Sequence, residues 1–389
     1  MEAATMPETY PGAAPTGTRV LIADDQPQIL EALQLLLKGC GFSTEAVTHP
    51  ARVLRALEAA SFDAVLLDLN YARDTTAGQE GLELVSQIRS MDKLLPVVVM
   101  TAWGSVDQAV EAMRRGASDF VQKPWENRQL LERLQNQMSR AQAQRRAQSR
   151  RDDEVREARE IQDNLLPKQL PEVADYEMAA MTRPLRFVGG DYYNVVRLSP
   201  RHTMLCIADV AGKGMPAALL VSSFQAALHP LIGQRLAPCE LCQRLNRILC
   251  DLTPVGKFIS FFYAVLDSQD KRLTYCNAGH NPPLLIRADG RSTELNAAGA
   301  VLGQFPDWRY EQSEVQIRSG DTLLLFTDGL VEACNPDEES FGEDKAVWTV
   351  QENPNSSAED LMALLIRAAS QHCGEAFQDD ASLIVLKAI

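Results

Sequence analysis

The chain has 389 residues, of which 46% are hydrophobic and 23% charged, and its formal net charge is -14. That length allows two or three domains with their own cores, and the ordinary apolar share excludes a chain that is disordered throughout. The acidic balance argues against nucleic acid as a partner, because neutralising phosphates takes a basic face.

The opening, "MEAATMPETYPGAAPTGT", has acids where a signal peptide has basic and then apolar blocks, and reads as a flexible tail over residues 1–17. No apolar run reads as long enough to cross a bilayer, so a cytoplasmic protein without a membrane partner is expected. Eight cysteines are scattered, several within apolar runs, which suits reduced core thiols better than a disulfide framework. Cys239 and Cys242 in "CELC" have metal or redox spacing, yet there is no second such pair and no nearby histidine set, so they read as two helix residues.

From Thr18 the chain alternates short continuous apolar runs with stretches of helical period. "TRVLIADD", "DAVLLDLN" and "PVVVMTAW" lack polar alternation, as expected of parallel strands covered on both faces, and "QPQILEALQLLLKGCGF", "ARVLRALEAA", "GLELVSQIRSM" and "SVDQAVEAMRRGA" separate them as helices. This predicts an α/β domain with a doubly wound five-stranded parallel sheet. In such sheets the site lies beyond the carboxyl ends of the strands, which gathers Asp24, Asp25, Asp68, Thr101 and Lys123. Three carboxylates together repel unless a divalent cation binds, and an all-oxygen site suits Mg²⁺. A lysine and a hydroxyl beside them can hold a phosphoryl group.

With these five positions in order, residues 18–136 resemble the receiver domain of two-component response regulators. The resemblance implies that Asp68 accepts a phosphoryl group from a sensor histidine kinase. It also implies that Asp25, Asp68 and the backbone carbonyl of Asn70 hold Mg²⁺, with Asp24 acting mainly through water. Thr101 and Lys123 would contact the phosphoryl oxygens, and Phe120 would be the aromatic that changes rotamer. One departure is that "NYARDTTAGQEGLEL" makes a longer loop after the phospho-acceptor than is usual.

From Trp125 to Leu166 the chain has neither glycine nor proline, and residues 137–170 read as a helical, coiled-coil-like linker. Leu131, Leu134, Met138 and Ala141 keep a heptad spacing that lapses at Arg145, Gln148 and Asp152, and Val155, Ala158, Ile161 and Leu165 resume it in another phase. The basic run Arg140 to Arg151 meets "DDEVREARE" at once, which can neutralise it within or between helices. A homodimer through this linker is expected.

Beyond the linker, acids recur at strand ends beside a turn or a glycine: Asp191 in "FVGGDYYNVV", Asp209 in "LCIADVAGKGM", Asp328 in "LLLFTDGL", and Asp379 with Asp380 in "FQDDASLIVL". Acids so gathered need cations, and oxygen-only ligands select Mg²⁺ or Mn²⁺. With "AREIQDNLLPKQLP", "GGDYYNV", "ADVAGKGMPAALL", "YCNAGHNPPLL", "LLLFTDGLVEACN", "FGEDKA" and "DDASLIVL" in order, residues 171–389 resemble the stress-response and sporulation branch of the PPM metal-dependent serine/threonine phosphatases. That resemblance implies an α+β fold with two sheets between helical layers, an α-β-β-α sandwich.

It further implies two ions, Mg²⁺ or Mn²⁺, held by Asp209, the carbonyl of Val210, Asp328 and Asp379, with Asp191 serving one of them directly or through water. Asp380, Gly190 and Gly329 would stand behind these ligands. The implied substrate is a phosphoserine or phosphothreonine protein, an anti-sigma-factor antagonist. Two departures are Asn194, where many relatives carry another acid, and the lack of a histidine after Asp209 to protonate a leaving group. Lys213 reads equally as a surface residue, and His280 as a turn-shaping one. A diguanylate cyclase would continue Gly-Gly-Asp with Glu and Phe, where Tyr192 and Tyr193 stand, and would leave Asp328 and Asp379 unexplained. No helix-turn-helix follows the linker, and "AGKGM" lacks the spacing of a Walker loop. A non-catalytic, receiver-controlled scaffold that binds a phosphoprotein is the competing function.

Overall fold

The computed structural model describes residues 17–71, 79–101, 106–296 and 299–389. The opening tail through residue 16 and positions 72–78 of the long loop after Asp68 lie outside the described residues. The chain divides into two compact units, the boundary falling between Asp152 and Asp153, inside the span expected to be a separate linker.

The first unit runs β1 (Arg19–Ala23), α1 (Pro27–Gly39), β2 (Ser43–Val47), α2 (Pro50–Ala59), β3 (Ala64–Asp68) and α3 (Gln79–Met91). It continues with β4 (Val97–Thr101), α4 (Val106–Arg114), β5 (Asp119–Gln122) and the start of α5 (Asn127–Asp163). The five strands pair in parallel in the order β2-β1-β3-β4-β5. Continuous apolar runs form these strands because both faces are covered. Val20, Ile22, Leu66, Val98 and Met100 pack with Leu30, Leu33 and Leu37 of α1 and Leu130, Leu131 and Leu134 of α5. Leu21, Val65, Leu67, Val97 and Val99 pack with α2 and α3 through Val53, Ala56, Leu84, Val85 and Ile88.

This packing revises the expected linker. Leu131, Leu134, Met138 and Ala141 are all buried, the first three of them in this sheet's own core, so they are not available as the first stretch of an intermolecular seam. Over two or three turns a heptad seam and one face of an ordinary helix have nearly the same spacing, so the pattern could not separate them. Positions 142–154 are exposed. There Gln148 donates to Asp152, and Arg145 pairs with Asp92 at 2.6 Å, which takes one charge from the basic run.

The second unit holds β6 (Tyr176–Arg183), β7 (Asp191–Arg197), β8 (His202–Val210), α6 (Met215–Ile232), α7 (Pro238–Leu252), β9 (Ile259–Asp267) and β10 (Arg272–Ala278). It ends with β11 (Leu284–Ile286), β12 (Ser292–Glu294), β13 (Ser313–Gln316), β14 (Thr322–Phe326), α8 (Asp328–Val331), α9 (Gly342–Gln351), α10 (Ala358–His372) and β15 (Ala381–Ala388). Two antiparallel sheets form, in the orders β13-β10-β9-β8-β7 and β12-β11-β14-β15-β6. Strand alternation builds three cores from them. Along β8, Met204, Cys206, Ala208 and Val210 face α6 and α7, whereas Leu205 and Ile207 face the other sheet. Along β15, Leu383 and Val385 face α10, and Ile384 and Leu386 face inward. The result is the expected α-β-β-α sandwich.

Contrary to the expectation of no membrane-length apolar run, α6 is 18 residues long and apolar enough to cross a bilayer. Polar residues Ser222, Ser223 and Gln225 interrupt its apolar run in the sequence, and Val221, Phe224, Leu228 and Leu231 of the helix are buried against the sheet and α7.

Leu134, fully buried, gives a test of the α5 assignment. Leu134→Ala is expected to destabilise the first unit by about 2–5 kcal/mol through lost burial and the cavity left behind. Differential scanning calorimetry of the full chain should show that unit's transition moving down, and an unmoved transition would return Leu134 to an exposed seam.

Candidate active site

In the first unit, Asp24, Asp25 and Asp68 converge at the carboxyl ends of β1 and β3, with one ligand oxygen from each lying within 4.8 Å of the others. Three hard oxygen donors at this spacing fit one divalent cation. Lys123 donates to Asp24 Oδ2 at 2.7 Å and stands 2.8 Å from Asp68 Oδ2. Burial pushes the Asp68 carboxyl above its usual range, and Lys123 opposes that shift. The Asn70 amide donates to Asp68 Oδ1 at 3.3 Å. Thr101 is buried at the end of β4, whereas Phe120 on β5 is partly exposed with the Arg133 guanidinium 5.5 Å from its ring centroid.

In the second unit the register of β7 with β8 places Asp191 directly opposite Asp209. By alternation both lie on the face turned to the other sheet, whose strands β14 and β15 bring Asp328, Asp379 and Asp380. Burial, then the charges of Asp328, Asp379 and Asp380, raise Asp209 to about 7, and Lys213 pulls the other way. Asp191 is pushed well above the usual carboxylate range by burial and by Asp209. Asp328 is raised by burial, then by Glu332 and Asp379. Such crowding of partly buried carboxylates, with few cations among them, is the donor set that divalent ions neutralise. Among the described residues no trio of these acids is as closely gathered as the one in the first unit.

Asp380 turns to the backbone. Its carboxylate accepts from Leu185 N at 2.7 Å and Gly190 N at 2.6 Å. Glycines let the surrounding backbone close in: a Cβ at Gly329 would lie 2.0 Å from the Asp380 carbonyl, and one at Gly190 would lie 2.9 Å from the Val210 carbonyl. Lys213 is no bystander, since its ammonium is 2.7 Å from Asp379 Oδ2 and donates to the Gln378 carbonyl. Asn194 donates to the Tyr192 hydroxyl, on the strand face opposite Asp191.

Two residues that hold the site went unnoticed in the sequence. Thr327 donates to Asp191 Oδ2 at 2.7 Å and accepts from Ser382 N at 2.8 Å. Gln162, near the end of α5, bonds to the backbone of Gly189. Thr327 adjoins Asp328, and Gln162 lies inside "AREIQDNLLP", but a polar residue next to a motif carries no sign of what it bonds.

His280 is buried and fully engaged. Its ring Nε2 lies 3.1 Å from the Phe326 carbonyl, which can only accept, so Nε2 carries the proton and Nδ1 accepts from Ser260 Oγ at 2.8 Å. Asn277 bonds both the amide and the carbonyl of His280. Burial lowers this imidazole to about 4 from the ordinary 6.5. The unfolded chain thus binds a proton that the folded one refuses between those values, and stability falls as pH drops through the window, by about 3 kcal/mol in total. His280→Gln removes this dependence, so the gap in melting temperature between wild type and variant is expected to narrow from pH 6.5 to 4. A constant gap would mean that His280 is not held neutral.

Comparison with known proteins agrees with this architecture. The family described as Stage II sporulation protein E (SpoIIE) matches residues 199–389, and the response regulator receiver domain matches residues 20–135. Phosphoserine phosphatase RsbU of Bacillus subtilis is 30% identical over 235 residues, covering 60% of this chain and 70% of RsbU. Protein IcfG of Synechocystis is 25% identical over 262 residues, 60% of this chain but only 41% of its own length. The SiaA-PP2C domain of Pseudomonas aeruginosa shares the fold, with a TM-score of 0.56 at 21% identity over 62% of this chain and 98% of that domain. The chain belongs to the family of RsbU: it joins a response-regulator receiver domain to a PP2C-type protein serine/threonine phosphatase domain of the SpoIIE kind.

Proposed function

We propose that this protein is a two-component response regulator whose output is the metal-dependent dephosphorylation of a phosphoserine or phosphothreonine protein. The observation that carries the reading is the meeting of Asp191, Asp209, Asp328 and Asp379 at one end of the sandwich, with burial and mutual repulsion raising Asp209 to about 7. Residues 18–136 are the receiver, 137–170 the linker and 171–389 the phosphatase in this assignment.

In the receiver, an Asp68 carboxylate oxygen attacks the phosphorus of a sensor kinase's phosphohistidine; the new O–P bond forms as the N–P bond breaks. Lys123 and Thr101 would take the phosphoryl oxygens, and Asp24, Asp25, Asp68 and the Asn70 carbonyl would hold Mg²⁺, Asp24 mainly through water. Phe120, partly exposed, is free to respond by changing rotamer. In the phosphatase, Asp209, the Val210 carbonyl, Asp328, Asp379 and Asp191 would hold two divalent ions, Mg²⁺ or Mn²⁺. When bound, these ions supply an acidified water and neutralise charge on the phosphoester. Asp380 fixes the Gly-Gly-Asp backbone, and Lys213, beside Asp379, offers a cation to the incoming phosphate.

The substrate assigned here is an anti-sigma-factor antagonist, as the resemblance of the motifs to the stress-response and sporulation branch implies; the exposed linker residues leave room for a homodimer. Hydrolysis of an aryl phosphate and of a phosphoserine peptide, with Mg²⁺ or Mn²⁺, tests the reading. Asp209→Ala and Asp328→Ala are expected to lower metal-dependent turnover by more than about a hundredfold. Beryllofluoride, mimicking phospho-Asp68, is expected to alter the wild-type rate and to leave Asp68→Ala unaffected. Wild-type protein that binds the phosphopeptide without turnover under any of these conditions would point instead to a scaffold.

A further inference from the structure

Gln162 is 9% exposed, although Glu160, Ile161, Asp163 and Asn164 around it are all exposed. A buried primary amide needs partners at both ends, and both come from one residue. Gln162 Nε2 donates to the Gly189 carbonyl at 2.7 Å, and its Oε1 accepts from Gly189 N at 3.0 Å. Because the backbone N–H only donates and the carbonyl only accepts, the amide can sit one way round. The side chain thus grips the backbone as a neighbouring strand would. One turn earlier Arg159 donates to the Phe187 carbonyl at 3.2 Å.

The hydrogen bonds continue inward. Gly190 N is held by Asp380, and the Gly190 carbonyl accepts from Val210 N at 3.1 Å. Asp191 follows at once, opposite Asp209. Gly189 and Gly190 have no side chains of their own to anchor, and neither can gain one: a Cβ at Gly189 would lie 2.6 Å from Asp380 Oδ2. The loop is therefore fixed from outside, by Asp380 on one side and Gln162 on the other.

We propose that Gln162 is a positioning residue of the phosphatase site, whose amide sets the Gly189–Gly190 backbone and so places Asp191 and the Val210 carbonyl for divalent-cation binding. This deepens the metal-dependent reading above and rests on it. Gln162 touches neither substrate nor ion. Its effect passes through the loop, so its loss weakens cation affinity in the tenfold to hundredfold range typical of groups that orient ligands. By linkage, a bound cation also tightens the hold of the loop on the end of α5.

The test uses the full-length protein with Mn²⁺ as the probe. Gln162→Met keeps side-chain length without either hydrogen bond; Gln162→Glu keeps the acceptor but sets a carboxylate against the Gly189 carbonyl. Mn²⁺ binding is read from the paramagnetic resonance signal of the free ion, and loop order from amide hydrogen exchange over residues 187–191. Gln162→Met is expected to bind Mn²⁺ 10- to 100-fold more weakly and to exchange faster at these amides. The KM for a phosphoserine peptide should stay unchanged, and excess Mn²⁺ should recover turnover. Glu160→Gln, on the exposed face, should behave as wild type. Wild-type Mn²⁺ affinity and exchange in Gln162→Met would overturn the proposal. If circular dichroism shows that this variant does not fold, Gln162→Glu decides, and a folded protein with wild-type Mn²⁺ affinity overturns it equally. Wild type that binds no Mn²⁺ would sink the metal-dependent reading beneath it.

Discussion

Carboxylates held close together at the ends of buried strands are the constraint around which both units are arranged. Like charges in a partly desolvated setting raise one another's proton affinity, and the fold tolerates them only where cations or directed hydrogen bonds compensate. In the receiver one lysine serves two acids, Lys123 lying between Asp24 and Asp68. In the phosphatase the compensation is divided. Lys213 faces Asp379, Thr327 serves Asp191, and Asp380 spends its oxygens on the amides of Leu185 and Gly190. Asp209 has least of this support and is raised to about 7.

The two sheets make that crowding possible by different means. A parallel sheet brings the ends of β1, β3 and β4 to one edge because every strand runs the same way, so Asp24, Asp68 and Thr101 become neighbours through topology alone. The antiparallel sandwich has no such rule. There Asp191 and Asp209 meet through register, at the start of one strand and near the end of the next, while Asp328 and Asp379 arrive from the opposing sheet. Glycines at 190 and 329 then let backbone approach backbone, and Gly189 lets the Asp380 carboxylate approach, more closely than any side chain would allow.

This difference also decides what could be read from the sequence. The receiver strands were legible because burial on both faces erases polar alternation, and their terminal acids stood out against apolar runs. The phosphatase acids could be named, since each sits at a strand end beside a turn or a glycine, but not the residues that hold them. Thr327 and Gln162 act through contacts 136 and 27 positions away, and nothing local marks a polar side chain that will bond a distant backbone. The linker misled for a converse reason. Leu131, Leu134 and Met138 carry a pattern that serves a partner helix or the receiver's own sheet equally well, and the sheet takes them. His280 invites a catalytic reading by type alone, yet its ring is committed to Ser260 and Phe326, and burial keeps it neutral near pH 7.

In the assignment proposed above, the spacing of the acids separates the two chemistries. Asp24, Asp25 and Asp68 offer oxygens within 4.8 Å of one another, close enough to converge on one divalent ion, the number that the proposed phosphoryl transfer to Asp68 calls for. Among the described residues the phosphatase acids are spread more widely, and a wider array would suit the two ions proposed for hydrolysis of a phosphoester. A wide array is also the harder one to keep in place, because no single ion draws all its ligands together. The glycine loop before Asp191, lacking side chains of its own, is where such a site is least self-supporting, and it is there that the fold brings in Asp380 from one strand and Gln162 from a helix.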